Sequence, residues 1–111
     1  MAARKTRQIA EFGDFQTPLE LARIACRILS RRSRFAPASI VEPTCGKGSF
    51  LVAALEAFPN ATKIIGLEIN AKYLDEATRA VAPVDKSKKV KLIESDFFST
   101  DWHALFSDLP E

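Results

Sequence analysis

The 111-residue sequence offers few groups from which a metal site or a disulfide framework could be built. It contains two cysteines, Cys26 and Cys45, and a single histidine, His103. Two cysteines do not make the framework of a small secreted domain, so a reducing, cytoplasmic location is the expectation. Neither cysteine has a neighbour at metal-ligand spacing, so no bound metal is expected.

Long apolar runs and a strong net charge are missing as well. The sequence begins with charged residues instead of the apolar segment of a signal peptide, and it has no run of about twenty apolar residues that could cross a membrane. The net charge is +2, and the short basic stretches AARKTRQ and RRSR are explained more simply as solvated segments than as nucleic-acid contacts. Because 47% of the residues are apolar and the charges are mixed, we expect one small globular domain.

The first predicted helix follows a loop and starts at a capping box. Thr17 is the predicted N-cap, Pro18 suits the first helical position, and Glu20 completes the T-x-x-E pattern. Apolar residues then recur at i, i+3, i+4 and i+7, which predicts one apolar stripe along the helix. The stripe consists of Leu21, Ile24, Ala25 and Ile28.

Strand and helix patterns alternate through the rest of the chain. The predicted strands are residues 39–42, 63–69 and 90–96, and the predicted helices are residues 49–58 and 71–81. Asn70 is the predicted cap of the last helix. An order of α, β, α, β, α, β predicts parallel strands joined by right-handed crossovers.

Polar residues stand where each predicted strand ends. Glu42 ends the first strand, with Gly46 and Gly48 just beyond it, Glu68 ends the second strand and Asp96 ends the third. The carboxyl ends of parallel strands lie at one edge of the sheet, which is where doubly wound folds bind their ligands. The sequence therefore predicts a ligand site at this edge.

The loop VEPTCGKGSFL at residues 41–51 lacks glycines that phosphate-binding loops need. A P-loop requires G-x-x-x-x-G-K-[ST], but Val41 stands at the place of the outer glycine. The dinucleotide fingerprint requires a third glycine where Leu51 stands, so a nicotinamide or flavin ligand is a weaker alternative that stays open.

An adenosine ligand without phosphate suits the acidic residues better. A carboxylate at Glu42 would repel a pyrophosphate but attract an ammonium group, such as that of S-adenosylmethionine. Glu68 is then placed to accept the ribose hydroxyls, and Asp96 and Phe97 are placed for the adenine.

Four segments resemble motifs of class I S-adenosylmethionine-dependent methyltransferases. VEPTCGKGSFL resembles motif I, and is most similar to the adenine-N6 DNA methyltransferases of restriction–modification systems, with a pattern like D-P-[AS]-C-G-[ST]-G-x-[FL]. GLEINAKYLDEA resembles motif II, and ESDFF resembles motif III. FGDFQTP at residues 12–18 resembles motif X, which in that family closes over the methionine end of the cofactor. The likeness departs from the pattern in having Glu42 for aspartate and Lys47 for a small residue.

The resemblance implies S-adenosyl-L-methionine as the cofactor and adenine N6 of DNA as the methyl acceptor. The residues that it implies around the cofactor are Phe15, Gln16, Thr17, Pro18, Glu42, Pro43, Thr44, Cys45, Gly46, Gly48, Phe50, Glu68, Ile69, Asp96 and Phe97. Cys45 itself is interpreted as a small buried side chain, since a nucleophilic cysteine needs a base and the sequence places no histidine near it.

The catalytic tetrapeptide of that family, [DNS]-P-P-[FYW], is missing, since the sequence has no Pro-Pro pair. We therefore expect an α/β, Rossmann-like methyltransferase fold that is partial, with three parallel strands and the later strands missing. Residues 1–111 would form its N-terminal cofactor-binding part, which binds the cofactor without turnover.

In that family a fourth strand lies beside the first, so residues 39–42 are expected to form an open sheet edge that invites self-association or a partner chain. Two alternatives stay open: a non-catalytic module that binds a partner chain, and a methyltransferase acting on RNA or on protein glutamine.

Overall fold

The computed structural model describes residues 16–32 and 36–110 of the chain. Within these ranges the elements are α1 (Leu19–Ser30), β1 (Ser39–Glu42), α2 (Ser49–Ala57), β2 (Lys63–Glu68), α3 (Ala71–Val81), β3 (Val90–Glu94) and α4 (Trp102–Ser107). The predicted site residue Phe15 and most of the motif X segment lie outside the described residues. None of the described helices has the length and apolar character needed to span a bilayer.

The three strands form one parallel sheet in the order β1-β2-β3. Helices connect consecutive strands, which is why the strands run parallel. The α/β class and the three predicted parallel strands are therefore confirmed. In the described part of the chain, β1 pairs only with β2, so one side of β1 is an edge of the sheet.

The core lies around the central strand β2. Ile64, Ile65 and Leu67 of this strand are almost fully buried, as is Leu51 of α2. Gly66 has no room for a side chain, since a Cβ there would lie 2.9 Å from methyl carbons of Leu51 and of Leu92 on β3. This close packing fixes α2 against the sheet and, with it, the loop that precedes α2.

Helix α1 begins one residue later than the capping box predicts. Pro18 occupies the N-cap position with ψ at 142°, and its carbonyl accepts the first helical hydrogen bond from the N–H of Ala22 at 3.1 Å. Thr17 therefore stands one residue too early, and the helix has no side-chain cap. The prediction of Thr17 as the N-cap is wrong for this reason.

The apolar stripe predicted for α1 faces away from the core. Leu21, Ile24 and Ile28 are 54%, 49% and 59% exposed, whereas Ala22 and Cys26 are buried. Small side chains let α1 pack closely on α2, and the larger side chains then lie on the opposite side of the helix.

The other local predictions agree with the structure except at three element ends: β2 ends at Glu68 one residue before the predicted end, α2 ends at Ala57 one residue before it, and β3 ends two residues before it. The Asn70 side chain caps α3 by accepting from the N–H groups of Lys72 and Tyr73 at 3.0 and 3.2 Å. Strand β3 ends at Glu94, so the prediction that Asp96 ends it is wrong. Asp96 instead turns the chain away from the sheet, because its side chain and its carbonyl accept from the N–H groups of Phe98 and Ser99.

Candidate functional site

The segment Pro43–Gly48, called the glycine loop below, connects β1 to α2 at the carboxyl edge of the sheet. Gly46 and Gly48 have φ values of +52° and +95°, which favour glycine. A Cβ on Gly46 would lie 2.2 Å from Oε1 of Gln16, and a Cβ on Gly48 would lie 3.2 Å from the Cα of Ala77 on α3. At both positions, therefore, the positive φ of the turn favours glycine and a neighbouring residue leaves little room for a side chain.

Five successive backbone N–H groups of the glycine loop region already donate to acceptors of the protein. The pairs are Thr44 to Glu42 Oε1 (3.2 Å), Cys45 to Leu67 O (2.8 Å), Gly46 to Glu68 Oε1 (2.9 Å), Lys47 to Gln16 Oε1 (3.0 Å) and Gly48 to Cys45 O (2.9 Å). Phosphate-binding loops use such N–H groups for phosphate oxygens. Here they are engaged, and two of the acceptors are carboxylates, so the loop is unsuited to an anion.

Glu68 joins the end of β2 to two neighbouring segments. Its Oε1 accepts from the N–H of Gly46, and its Oε2 accepts from the N–H of Asn70 at 2.8 Å. The residue is partly exposed, and each carboxylate oxygen retains capacity for a second hydrogen bond. Glu68 can therefore hold the loop and accept from the hydroxyl groups of a ligand at the same time.

Cys45 lies buried between the two acidic strand ends. Burial raises the pKa of its thiol to about 12, and the carboxylates of Glu68 and Glu42 add to the shift. The thiol is therefore protonated at neutral pH and unsuited to nucleophilic attack. This agrees with the expectation of a small buried side chain.

An aromatic cluster lies beside the site, after β3. The rings of Phe97 and Trp102 are 5.3 Å apart, Phe98 lies 5.2 Å from Phe97, and Phe106 lies 5.7 Å from Trp102. The Nε1–H of Trp102 donates to the carbonyl of Phe97 at 3.1 Å and fixes this arrangement.

An apolar groove of about 320 Å³ borders the cluster, and it is lined by Val41, Pro43, Phe97, Trp102 and Phe106. Sequence reasoning missed Phe106 and Val41 as part of this surface. The i, i+4 spacing of Trp102 and Phe106 is the signal that would have placed the two rings on one side of α4.

The predicted site residues are only partly brought together. Direct hydrogen bonds join Gln16, Glu68 and the glycine loop. Phe50 lies instead in a second groove of about 260 Å³ between α1, β1 and α2, and Ile69 is exposed. Thr17 and Pro18 precede α1, and Asp96 lies two residues beyond the end of β3.

A parallel sheet with a glycine loop after its first strand and acidic residues beyond its strand ends is the architecture of a Rossmann-like methyltransferase domain. The sequence model of the N-6 DNA Methylase family matches residues 2–105. The chain belongs to this family, whose membership implies S-adenosyl-L-methionine as the cofactor.

A curated relative is the Type II methyltransferase M.NspV of Nostoc sp. (strain ATCC 29411 / PCC 7524). It is 43% identical over 99 residues, which make up 89% of this chain and 20% of the relative. The chain thus spans about a fifth of the length of the curated relative that it matches.

Solved structures share the fold at lower identity. The tRNA m1G37 methyltransferase of M. jannaschii superposes with a TM-score of 0.59 and 24% identity, over 78% of this chain and 25% of that one. A Listeria monocytogenes protein named as a candidate class I S-adenosylmethionine-dependent methyltransferase gives a TM-score of 0.58 and 18% identity, over 77% of this chain and 27% of that one. These likenesses show the fold alone.

Proposed function

We propose that this chain is the S-adenosylmethionine-binding part of a DNA adenine-N6 methyltransferase. The observation that carries the proposal is the Glu68 carboxylate, which both fixes the glycine loop through Gly46 and stands at the end of the central strand. A site built from acceptors suits a nucleoside rich in hydrogen-bond donors and free of phosphate. The similarity to M.NspV and the family's description support DNA over RNA or protein as the substrate.

The roles of the individual residues follow from their chemistry. Glu68 accepts the ribose hydroxyls, Glu42 attracts the ammonium group at the methionine end, and Asp96 accepts from the adenine amino group with Phe97 against the ring. The bound cofactor supplies a methyl group on a sulfonium. The chain's own residues bind and orient it, and the tetrapeptide that would hold the target base is absent from the sequence. The remaining positions implied by the resemblance stay predictions, as do the cytoplasmic location and the lack of turnover.

The open edge of β1 is proposed to pair with a further parallel strand. Two apolar grooves border this strand, and Val41 lines both of them. The hydroxyl of Ser39, where β1 begins, donates to the carbonyl of Pro110, so the chain after α4 returns to the start of the edge strand. A strand that continued from this point along the edge would lie parallel to β1.

Isothermal titration of the 111-residue chain with S-adenosylmethionine tests the proposal. We expect saturable binding, and no binding of ATP or a nicotinamide dinucleotide, because the N–H groups of the loop are engaged. Binding of the phosphate-bearing ligands in preference to S-adenosylmethionine would overturn the proposal.

A module that only binds a partner is the second candidate, and the open edge of β1 favours it. It predicts no heat with any of the three ligands, together with capture of a polypeptide that supplies a strand. Saturable binding of S-adenosylmethionine would show that the chain does more than bind a partner, and would reject this second candidate.

A further inference from the structure

The side chain of Gln16 lies directly on the glycine loop. Its Oε1 accepts from the backbone N–H of Lys47 at 3.0 Å. A Cβ on Gly46 would lie 2.2 Å from Oε1, 3.0 Å from Cδ and 3.1 Å from Nε2 of the same amide. The Gln16 amide therefore packs so closely against Gly46 that any residue with a side chain at position 46 would clash with it.

Two successive backbone N–H groups of the loop are held from two different elements. The N–H of Gly46 donates to Glu68 at the end of β2, and the N–H of Lys47 donates to Gln16 ahead of α1. Glu68 in turn accepts from the N–H of Asn70, the cap of α3. A continuous set of hydrogen bonds thus runs from the segment before α1, through the glycine loop, to the start of α3.

We propose that Gln16 is a positioning residue of the cofactor site, and this proposal rests on the proposed function. It holds the Gly46–Lys47 peptide in the conformation that binds the cofactor, so that docking of the segment before α1 and binding of the cofactor strengthen each other. Thermodynamic linkage makes this coupling reciprocal: cofactor binding must stabilise the contact as much as the contact stabilises binding.

Hydrogen exchange of the Lys47 amide, followed by NMR without cofactor, tests the contact itself. We expect protection in the wild-type chain, its loss in Gln16→Leu, and its retention in Gln16→Glu, which keeps an acceptor oxygen. Arg32→Gln, at the other end of α1, is the matched control and leaves the exchange unchanged. Equal protection in the wild type and in Gln16→Leu would overturn the proposal.

Titration with S-adenosylmethionine tests the coupling. Gln16→Leu is expected to weaken binding about threefold to tenfold, the range of one ordinary hydrogen bond, and Gln16→Glu to restore most of it. Added cofactor should raise the protection of the Lys47 amide in the wild type and leave it unchanged in Gln16→Leu. Weakened binding with unchanged Lys47 exchange would make Gln16 a direct ligand and overturn the positioning role.

A double-mutant cycle supplies an independent measurement. Gly46→Ala should weaken binding by a smaller factor in a Gln16→Ala background, because the Cβ no longer meets the Gln16 amide, although the strain at φ +52° remains. Additive effects would count against the contact. Absence of cofactor binding by the wild type, with Lys47 still protected by Gln16, would reject the proposed function and the coupling but not the contact.

Discussion

The carboxylate of Glu68 and the backbone N–H of Gly46 are joined by a hydrogen bond of 2.9 Å between residues 22 positions apart in the sequence. The end of β2 and the loop after β1 are therefore one structural unit. Because the second oxygen of Glu68 accepts from Asn70, the start of α3 belongs to the same unit. The residue proposed to bind ribose is thus also the residue that shapes the loop.

Exchange of Glu68 for glutamine should affect both binding and stability. One hydrogen bond to a charged group is worth about 1.5–3 kcal/mol, so we expect S-adenosylmethionine to bind about tenfold to a hundredfold more weakly. The unfolding temperature should fall as well, since a glutamine cannot accept from both the Gly46 and Asn70 N–H groups without turning its own N–H₂ group toward a donor.

Glu94 provides the matched control for this exchange. It pairs in register with Glu68 across β2 and β3, but it is exposed. Glu94→Gln should leave calorimetric affinity and unfolding temperature unchanged. An equal loss of affinity in both variants would mean that the negative charge of the edge acts as a whole and that Glu68 has no specific contact.

Gly48→Ala should destabilise the fold by more than the usual glycine-to-alanine exchange. The left-handed backbone at φ +95° costs a residue with a side chain about 1–2 kcal/mol, and the new methyl group would also press on the backbone of Ala77 at 3.2 Å. Urea denaturation measures the free energy of unfolding. Ser49→Ala, at the first residue of α2, is the control, and an unchanged free energy in Gly48→Ala would contradict the tight packing of the loop on α3.

The fold was predictable where the signals are local or follow from topology. The cap at Asn70 depends only on the four consecutive residues 70–73, and its hydrogen bonds from the N–H groups of Lys72 and Tyr73 agree with the prediction. The meeting of Glu42 and Glu68 with the glycine loop at one edge follows from parallel strand order alone.

The errors and omissions arise where tertiary contacts, or in one case a local side-chain hydrogen bond, decide the structure. The register of α1 and the direction of its stripe depend on how closely Ala22 and Cys26 pack on α2, which no periodicity encodes. The contact of Gln16 with Lys47 spans 31 positions and has no local pattern. The turn at Asp96 illustrates the competition of an aspartate side chain with strand hydrogen bonds.

The exposed stripe of α1 should be replaceable without loss of stability in the 111-residue chain. Leu21→Gln, Ile24→Gln and Ile28→Gln together remove three large apolar side chains that face solvent. We expect little change in the free energy of unfolding and less self-association in sedimentation. Ala22→Gln, on the buried side of the same helix, should destabilise by about 1–3 kcal/mol through overpacking. Strong destabilisation by the triple exchange would show that the stripe is covered in solution.

The raised pKa of Cys45 predicts a loss of stability at alkaline pH. The thiol ionises near its ordinary pKa of 9.0 in the unfolded chain but near 12 in the folded one, so between these values the folded state binds more protons than the unfolded state. The free energy of unfolding must then fall as the pH rises through this window, by up to about 1.4 kcal/mol per pH unit. At lower pH the thiol is protonated in both the folded and the unfolded state, so it causes no pH dependence of the stability there.

Cys45→Ala removes this contribution and gives its measurement. Urea denaturation at a series of pH values should show a shallower alkaline decline in Cys45→Ala than in the wild type. Burial also raises the pKa of the Cys26 thiol, so Cys26→Ala is measured in parallel to separate the two contributions. Identical alkaline slopes in the wild type and in Cys45→Ala would mean that the thiol meets solvent in the folded chain. The glycine loop, of which Cys45 is part, would then not be packed as the hydrogen bonds to Gln16 and Glu68 require.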